Sequence, residues 1–259
     1  MEKQWVIVQY DNRVIKDTDL KLIDINKNYC LKHGYKHILE TKPYYMPPWW
    51  IKVKLVKDIL STNNYKGALW LDTDAVIHNQ EMCLDNLIKK DKSMYYSGDA
   101  PFWNAEFNAG VWLIKNDIYG KEILEKWINS YSLKDWAIEN NKWISSGEWA
   151  GSTYEQGAFL KYVKPNFEQY MYSYPWQVFQ SYEPDVNTFT LHFAGDLYDK
   201  YLPAYINQIY YRYLFGKILL CLLIIIFCTT IIYIYLIYPT YLLRFYKTLK
   251  IFKITDVFK

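Results

Sequence analysis

The pattern of apolar and polar positions divides the chain into a front part of short alternating elements and one long uncharged stretch near the C-terminus. Compact apolar runs predict strands at residues 5–10, 37–40 and 67–71. Apolar residues at helical spacing predict helices between these strands, at residues 17–33 and 50–60. Strands that alternate with helices are typical of a parallel sheet covered on both faces, so we expect an α/β fold with a mixed, mostly parallel sheet.

The first predicted helix begins at Asp17 or Thr18. Leu20, Ile23 and Leu31 recur at helical spacing and form its predicted apolar face. Gly34 is a natural stop, because glycine readily adopts the left-handed conformation that ends helices.

Residues 218–243 contain no charged side chain. A helix needs about 20 apolar residues to cross a bilayer, and core helices are rarely apolar on every face over such a length. Tyrosines and phenylalanines crowd both flanks like an interfacial belt, and Pro239 marks an end or a kink. We therefore predict a front domain at residues 1–200, an aromatic juxtamembrane segment at 201–217, a single transmembrane helix at 218–243 and a basic tail at 244–259.

Two features of the sequence predict different orientations of this helix in the membrane. Five basic residues follow the span and two precede it, so the positive-inside rule places the tail in the cytoplasm. The N-terminus shows no apolar stretch of signal-peptide length, however, and this favours a front domain that folds in the cytosol. We give the second feature more weight and expect a single-pass membrane protein with a cytosolic front domain.

Composition excludes several classes of protein. Lys and Arg number 30 against 27 Asp and Glu, so a protein built to bind nucleic acid is not expected. An apolar fraction of 51% excludes global disorder. Four cysteines in 259 residues do not form a disulfide scaffold, and we expect Cys30 and Cys83 to be reduced core thiols. All 11 tryptophans precede residue 177, so they belong to the front domain.

Asp72 and Asp74 leave the third predicted strand one residue apart. Ligands bind at the carboxyl ends of strands in open α/β sheets, and two carboxylates there suit Mg²⁺ or Mn²⁺. Such an ion can hold a diphosphate and offset the charge that develops as it leaves. An isolated Asp-x-Asp more often marks a solvated turn, but the apolar runs on both sides favour a functional role.

The same pair also fits the aspartyl-phosphate pattern of haloacid-dehalogenase-type phosphatases. In that case Asp72 would attack phosphorus and Asp74 would act as acid and base. Asp196 and Asp199 resemble the second acidic motif of those enzymes. Their Asp-x-Asp usually ends the first strand of the domain, whereas at least two predicted strands precede Asp72 here.

Further motifs accompany the pair in a definite order. They are Asn26-Lys-Asn-Tyr29 with His33-Gly-Tyr35, Trp50-Ile-Lys52, Phe107-Asn-Ala-Gly-Val-Trp112, Glu155-Gln-Gly-Ala158 and Leu191-His-Phe-Ala-Gly195. Over residues 5–195 this series resembles glycosyltransferase family 34, which contains galactosyl- and mannosyltransferases with a GT-A fold. The resemblance implies a retaining transfer of sugar from a nucleotide sugar.

The resemblance also implies roles for individual residues. Asp72, Asp74 and His192 match the ligands of Mn²⁺, with Mg²⁺ less suited to an imidazole. Asn108 and Gly110 precede the predicted strand of the motif at residues 107–112 and match family residues near the donor or acceptor sugar. A plain turn is the alternative interpretation of these two residues.

Other matched residues concern the sugar and the phosphates. Glu155 and Gln156 match the pair beside the anomeric carbon, where one of them stabilises positive charge or acts as a nucleophile. Asp99 is an acceptor-side candidate or a turn residue. Lys52 could approach the phosphates, but we favour its interpretation as a solvated helix lysine.

The chain departs from the family pattern at two points. A basic residue that faces the phosphates is expected shortly after His192, but the next one is Lys200, and Asp196 stands where many relatives are uncharged. Relatives also usually carry an N-terminal anchor. These departures leave open how the charge of the diphosphate is compensated.

We therefore expect a metal-dependent retaining glycosyltransferase that moves a hexose or pentose from a UDP- or GDP-sugar to a glycan or glycolipid. The alternatives are the phosphatase and a non-catalytic, membrane-anchored protein that binds glycans. We expect Trp5, Trp70 and Trp112 in the core, whereas Trp103 and Trp149 lie in polar stretches and are candidates for stacking on sugars.

Overall fold

A computed structural model describes residues 4–13 and 15–237. The strands in this part are β1 (Gln4–Tyr10), β2 (Lys36–Glu40), β3 (Tyr65–Leu71), β4 (Ala75–Ile77), β5 (Met94–Ser97), β6 (Val111–Lys115), β7 (Trp136–Glu139), β8 (Lys142–Ser145), β9 (Met171–Tyr174) and β10 (Thr190–His192). The helices are α1 (Asp17–His33), α2 (Pro48–Ser61), α3 (Ile118–Ile128), α4 (Glu155–Ala158), α5 (Lys164–Phe167), α6 (Trp176–Phe179) and α7 (Leu197–Ile237). A π-helical turn (Phe159–Val163) and three 3₁₀ turns (Leu84–Leu87, Leu133–Asp135 and Glu168–Tyr170) complete the elements.

A central sheet has six strands in the order β2-β1-β3-β6-β5-β9. β1 pairs in parallel with β2 and β3, and β5 with β9, while β6 runs antiparallel to β3 and β5. β4 and β10 form a separate antiparallel pair, as do β7 and β8. The predicted α/β fold with a mostly parallel sheet is therefore confirmed.

Alternate residues of the strands feed two apolar cores, one on each face of the sheet. On β1, Val6 and Val8 join the core beneath α2, whereas Trp5 and Ile7 join the other. Trp70 and Trp112 face the first core, so the three strand tryptophans are buried as predicted. This two-sided burial explains why the strands are apolar throughout rather than alternating with polar residues.

Helix α1 buries one residue of its predicted apolar face, Ile23, which is 5% exposed, but not the other two. Leu20 and Leu31 are 43% and 73% exposed, whereas Leu22, Asn26 and Tyr29 are buried. Asn26 binds β4 through both ends of its amide, to the carbonyl of Ala75 (3.0 Å) and the N–H of Ile77 (2.8 Å). The polar bridge to a strand edge sets the rotation of the helix, and this cannot be read from the spacing of leucines alone.

The chain forms two compact units, Met1–Leu202 and Pro203–Lys259. In the described part of the second unit, the chain is the continuation of α7. Among the described residues, α7 is the one helix long and apolar enough to cross a membrane, and the apolar side chains at residues 218–236 of this helix are exposed rather than buried in a core. Pro239, the end of the predicted span at 238–243 and the basic tail lie outside the described residues.

Candidate active site

Two aspartates and a histidine that is remote from them in sequence lie close together at the end of β3. Asp72 follows β3 directly, and its carbonyl accepts a hydrogen bond from the N–H of Ala75 (3.0 Å) as the chain turns into β4. β10 pairs with β4 in a register that sets His192 opposite Ala75. Ligand atoms of Asp72, Asp74 and His192 all lie within 4.8 Å of one another. Strand pairing therefore brings together three side chains that can hold a metal ion.

Gln180 orients the imidazole of His192. The Nδ1 of His192 lies 2.6 Å from Oε1 of Gln180, whose Nε2 donates to the carbonyls of Asn108 (3.3 Å) and Val111 (3.2 Å). Because the amide nitrogen is committed to these carbonyls, the oxygen faces the ring and Nδ1 carries the proton. Nε2 then presents its lone pair toward Oδ1 of Asp74, 3.3 Å away. Metal-binding histidines are characteristically held through their other nitrogen in this way.

The pair formed by Asp74 and His192 suits a divalent cation. The Oδ1 of Asp74 is buried and accepts no hydrogen bond from any described residue. Burial opposes both charged forms, yet the imidazole lowers the pKa of Asp74 and the carboxylate raises the pKa of His192. A proton can therefore lie between His192 and Asp74, where a metal ion would bind. Protonation of this pair and metal binding then compete with each other. Carboxylate oxygens with one imidazole nitrogen suit Mn²⁺ better than Mg²⁺.

Gly110 leaves the space that the His192 ring fills. A Cβ at this position would lie 2.2 Å from Cε1 and 2.7 Å from Nε2 of His192. The Gly110 N–H donates to Oδ1 of Asn108 (2.7 Å), and its carbonyl accepts from the N–H of Asp72 (2.8 Å). Because the backbone is held on both sides, a larger residue would displace the histidine ring.

Lys52 is buried between two carboxylates, with 6% of the residue exposed. Its Nζ lies 2.9 Å from Oδ1 of Asp72 and 3.5 Å from Oε1 of Glu155. Burial disfavours the ammonium, but these carboxylates outweigh burial and raise the pKa of Lys52. Trp70 Nε1 donates to the same oxygen of Asp72 (2.7 Å). Two donors therefore fix the Asp72 carboxylate, and the interpretation of Lys52 as a solvated helix lysine is wrong.

Glu155 begins α4 with its carboxyl group buried beside this lysine. The residue is 3% exposed, and Oε2 has no hydrogen-bond partner among the described residues. Burial raises the pKa of Glu155 to about 7, although Lys52 opposes the shift. Near neutral pH this carboxyl group therefore exchanges readily between its neutral and ionised forms, a property typical of groups in active sites.

Gln156, Asn108 and Asp99 form a second set of linked side chains. Oε1 of Gln156 accepts from the N–H of Ala109 (3.1 Å), and Nδ2 of Asn108 donates to Oδ1 of Asp99 (2.5 Å). Burial raises the pKa of Asp99, against the effect of that hydrogen bond. Asp99 also closes a loop by donating from its N–H to the carbonyl of Ala105 (2.8 Å). It is therefore a loop residue and a fixed, half-buried acid.

Two cavities share Asp74 and Thr73 as part of their walls. The larger, of about 400 Å³, extends to Trp49 and Lys52. The smaller, of about 350 Å³, extends to Tyr198 and neighbouring residues of the His192 segment. Each volume lies in the range of ligand-binding clefts.

Aromatic rings cluster around Trp49, which lines the larger cavity. Trp49 stacks on Trp136 (ring centroids 5.4 Å apart) and makes edge contacts with Trp149 (5.6 Å) and Tyr154 (5.1 Å). Trp149 is 72% exposed, and Trp103, on another loop, is 41% exposed. Both therefore present ring surface to solvent.

The α/β part of the chain is similar to solved glycosyltransferases of GT-A type. A glycosyltransferase involved in the glycosylation of the major capsid of PBCV-1 is 17% identical over 78% of this chain and 98% of that chain, with a TM-score of 0.58. GlyE from Streptococcus pneumoniae, in its apo form, is 16% identical over 75% of this chain and 55% of that chain, with a TM-score of 0.46. A mutant Drosophila β1,4-galactosyltransferase 7 in complex with manganese, UDP-Gal and xylobiose is 10% identical over 76% of this chain and 74% of that chain, with a TM-score of 0.43.

The first of these similarities shows that this part of the chain has a GT-A fold. It extends to the fold and not to a particular family within it. No protein-family model matches the sequence, and no curated protein does.

Asp11, Arg13 and Gln180 contribute to the site but are not among the predicted residues. Asp11 and Arg13 follow β1 at the carboxyl edge of the sheet, so the rule that ligands bind at this edge points to them. Gln180 follows α6 in irregular chain, and no sequence pattern marks it.

Proposed function

We propose that this protein is a metal-dependent, retaining glycosyltransferase, related to family 34. It would move a hexose or pentose from a UDP- or GDP-sugar to a glycan or glycolipid. The observation that carries the proposal is the approach of Asp72, Asp74 and His192 to within 4.8 Å at the carboxyl edge of a GT-A sheet. This edge is where open α/β sheets bind nucleotides.

In this proposal the three side chains would hold Mn²⁺, with Mg²⁺ as a weaker alternative. A cation there would neutralise charge on the departing diphosphate. The chain itself keeps the ligands in place: Lys52 fixes Asp72, and Gln180 fixes His192. Such support of the ligands is typical of catalytic metal sites.

The sugar would lie between the metal ligands and α4. Glu155, when ionised, would stabilise the positive charge that develops at the anomeric carbon, or attack that carbon, with Gln156 beside it. The Nζ of Lys52 lies within 3.5 Å of carboxylate oxygens of both Asp72 and Glu155. It would therefore fix the distance between a proposed metal ligand and the residue proposed to act on the sugar. Asn108 and Gly110 would line the sugar site, and Asp99 would face the acceptor.

We further propose that α7 anchors the enzyme in a bilayer as a single span, with the front domain in the cytosol. The exposed apolar surface of α7 supports the anchor. Protease digestion of sealed microsomes tests the orientation. Digestion of the front domain is expected, and its protection would place the domain in the lumen.

Incubation of the full chain with Mn²⁺ and a panel of UDP- and GDP-sugars tests the activity. Donor hydrolysis or transfer is expected, and Asp74→Ala and His192→Ala should each abolish it. The anomeric configuration of the product, read by NMR, tests retention.

Two outcomes would contradict the proposal. Release of phosphate from simple monoesters that depends on Asp72 would indicate the aspartyl phosphatase. Saturable binding of glycans without turnover of any donor would indicate a non-catalytic protein.

A further inference from the structure

Arg13 is a fixed cation directly beside the paired aspartates. Its Nε and Nη2 donate to the two oxygens of Asp11 at 2.9 and 2.7 Å, and its backbone N–H donates to the same carboxylate (2.9 Å). Asp11 is buried and also accepts from the hydroxyl of Thr73 (3.0 Å), the residue between Asp72 and Asp74. The guanidinium is therefore tied through one carboxylate to the segment that carries the metal ligands.

The bound carboxylate leaves much of the guanidinium free. A guanidinium has five N–H donors, and Asp11 engages two of them. The Arg13 side chain is 78% exposed, and it lines both cavities that share Asp74. A guanidinium held this way presents its remaining donors in a fixed geometry suited to phosphate oxygens.

Acidic residues also line the smaller cavity. They would repel an anionic ligand unless their charge is compensated by neighbouring donors. Asp11 is occupied by Arg13, and Asp19 accepts from the hydroxyl of Tyr198 (2.6 Å). Asp199 is exposed to solvent. Lys16 adds a second cation at this cavity, with its Nζ 4.7 Å from the centre of the Tyr198 ring.

The segment after His192 supplies no such cation. Residues 193–199 contain no lysine or arginine, and the residues of this stretch that line the smaller cavity are Gly195, Tyr198 and Asp199. Lys200 lies over the ring of Tyr201, 4.9 Å from its centre, and lines neither cavity. The basic side chains available to a diphosphate in the smaller cavity are therefore those of Arg13 and Lys16.

We propose that Arg13, held by Asp11 and assisted by Lys16, is the diphosphate-binding cation of this protein, in place of a basic residue after His192. The proposal rests on the proposed function, since it assumes a nucleoside diphosphate donor. It assigns the smaller cavity as the diphosphate subsite. Arg13 thereby compensates part of the negative charge of the diphosphate, in addition to the part that the metal ion neutralises.

Calorimetric titration of the full chain in detergent, with Mn²⁺ present, tests this assignment. The probes are UDP and GDP, each compared with its nucleoside. Arg13→Gln should weaken binding of the diphosphate by about tenfold or more, because charge-assisted hydrogen bonds are lost, while nucleoside binding stays unchanged. Lys200→Gln removes one positive charge near the same segment and should change the affinity less than about twofold.

Two further measurements separate binding from structural damage. Mn²⁺ affinity, read by electron paramagnetic resonance without nucleotide, should be equal in Arg13→Gln and the unsubstituted chain. Arg13→Lys keeps the charge but loses the planar fork, so it should show a smaller loss of diphosphate affinity. If Arg13→Gln does not fold, Arg13→Lys decides: a loss confined to the diphosphate supports the assignment, and an unchanged affinity overturns it.

The outcomes distinguish this assignment from the proposed function. Diphosphate binding that Arg13→Gln leaves unchanged, or an equal loss for the nucleoside, overturns the role of Arg13 alone. Failure of the unsubstituted chain to bind either nucleotide in the presence of Mn²⁺ overturns the proposed function and this assignment with it.

Discussion

The Nδ1–H of His192 donates to Oε1 of Gln180 across 2.6 Å, and this bond leaves Nε2 free to face Asp74. Gln180 is itself fixed by two backbone carbonyls. The direction of the histidine lone pair is therefore set by a residue that never touches the metal position. Loss of such a partner typically lowers metal affinity about 10–100-fold.

Gln180→Leu should accordingly weaken Mn²⁺ binding by about tenfold or more, because the imidazole loses its fixed tautomer and orientation. Isothermal titration with Mn²⁺ measures the effect. Gln169→Leu is the matched control, since that glutamine is exposed. Equal Mn²⁺ affinity in the two variants would show that Gln180 does not orient the ligand.

Gly110→Ala should also impair metal binding, through displacement of the His192 ring by the new methyl group. The added Cβ would lie 2.2 Å from Cε1 of the imidazole, far inside van der Waals contact. Gly216→Ala is the control, because nothing lies within 4 Å of a Cβ at that position. Retention of Mn²⁺ affinity in Gly110→Ala would mean that the ring moves aside without loss.

Lys52→Met should destabilise the front unit by about 3 kcal/mol or more, because it leaves the buried Glu155 carboxyl and Asp72 without their cation. Chemical denaturation measures the loss. Lys54→Met removes an exposed lysine of the same helix, paired with Asp58, and should cost less than about 1 kcal/mol. A similar loss in both variants would contradict the buried ion pairs.

The raised pKa of Glu155 makes stability depend on pH. The unfolded glutamate titrates near the ordinary value of 4.5 and the folded one near about 7. Between these values the folded state binds more protons, so the contribution of Glu155 is fully present below about pH 4.5 and is lost as pH rises to about 7. The free energy of unfolding, measured relative to Glu155→Gln, should fall over this window and then level off. A flat difference would place the folded pKa near its ordinary value.

Trp149→Ala should raise the acceptor KM about 3–10-fold and leave the donor KM unchanged, if its exposed ring stacks on acceptor sugar. Trp103→Ala tests the second exposed indole in the same way. Tyr119→Ala, which removes an exposed ring on α3 stacked against Tyr170, serves as control. Steady-state kinetics with the identified donor measures both constants. An unchanged acceptor KM in both tryptophan variants would exclude sugar stacking at these rings.

The tryptophans show where prediction from local sequence succeeds and where it does not. Trp5, Trp70 and Trp112 are buried as expected, since they lie on strands covered on both faces. Trp50 begins the helix predicted at residues 50–60, but the pattern does not predict that it is fully buried in α2 and that its Nε1 donates to the carbonyl of Thr153 (2.8 Å). Its burial depends on a contact with a loop that comes much later in the chain.

Local pattern was sufficient for the alternation of strands and helices, the position of Asp72 and Asp74 at the end of a strand, and the uncharged stretch at residues 218–237 of α7. Each of these is a property of contiguous residues, because periodicity, turn signals and the lack of charge act within a short window.

Tertiary structure alone decided the burial of Lys52 between two carboxylates, the hold of Gln180 on His192 and the place of Arg13 beside the paired aspartates. These relationships depend on the order of strands in the sheet and on the register of β10 against β4. Pairing across a sheet joins residues that are remote in sequence, and the free energy that selects one register comes from the packing of the whole domain.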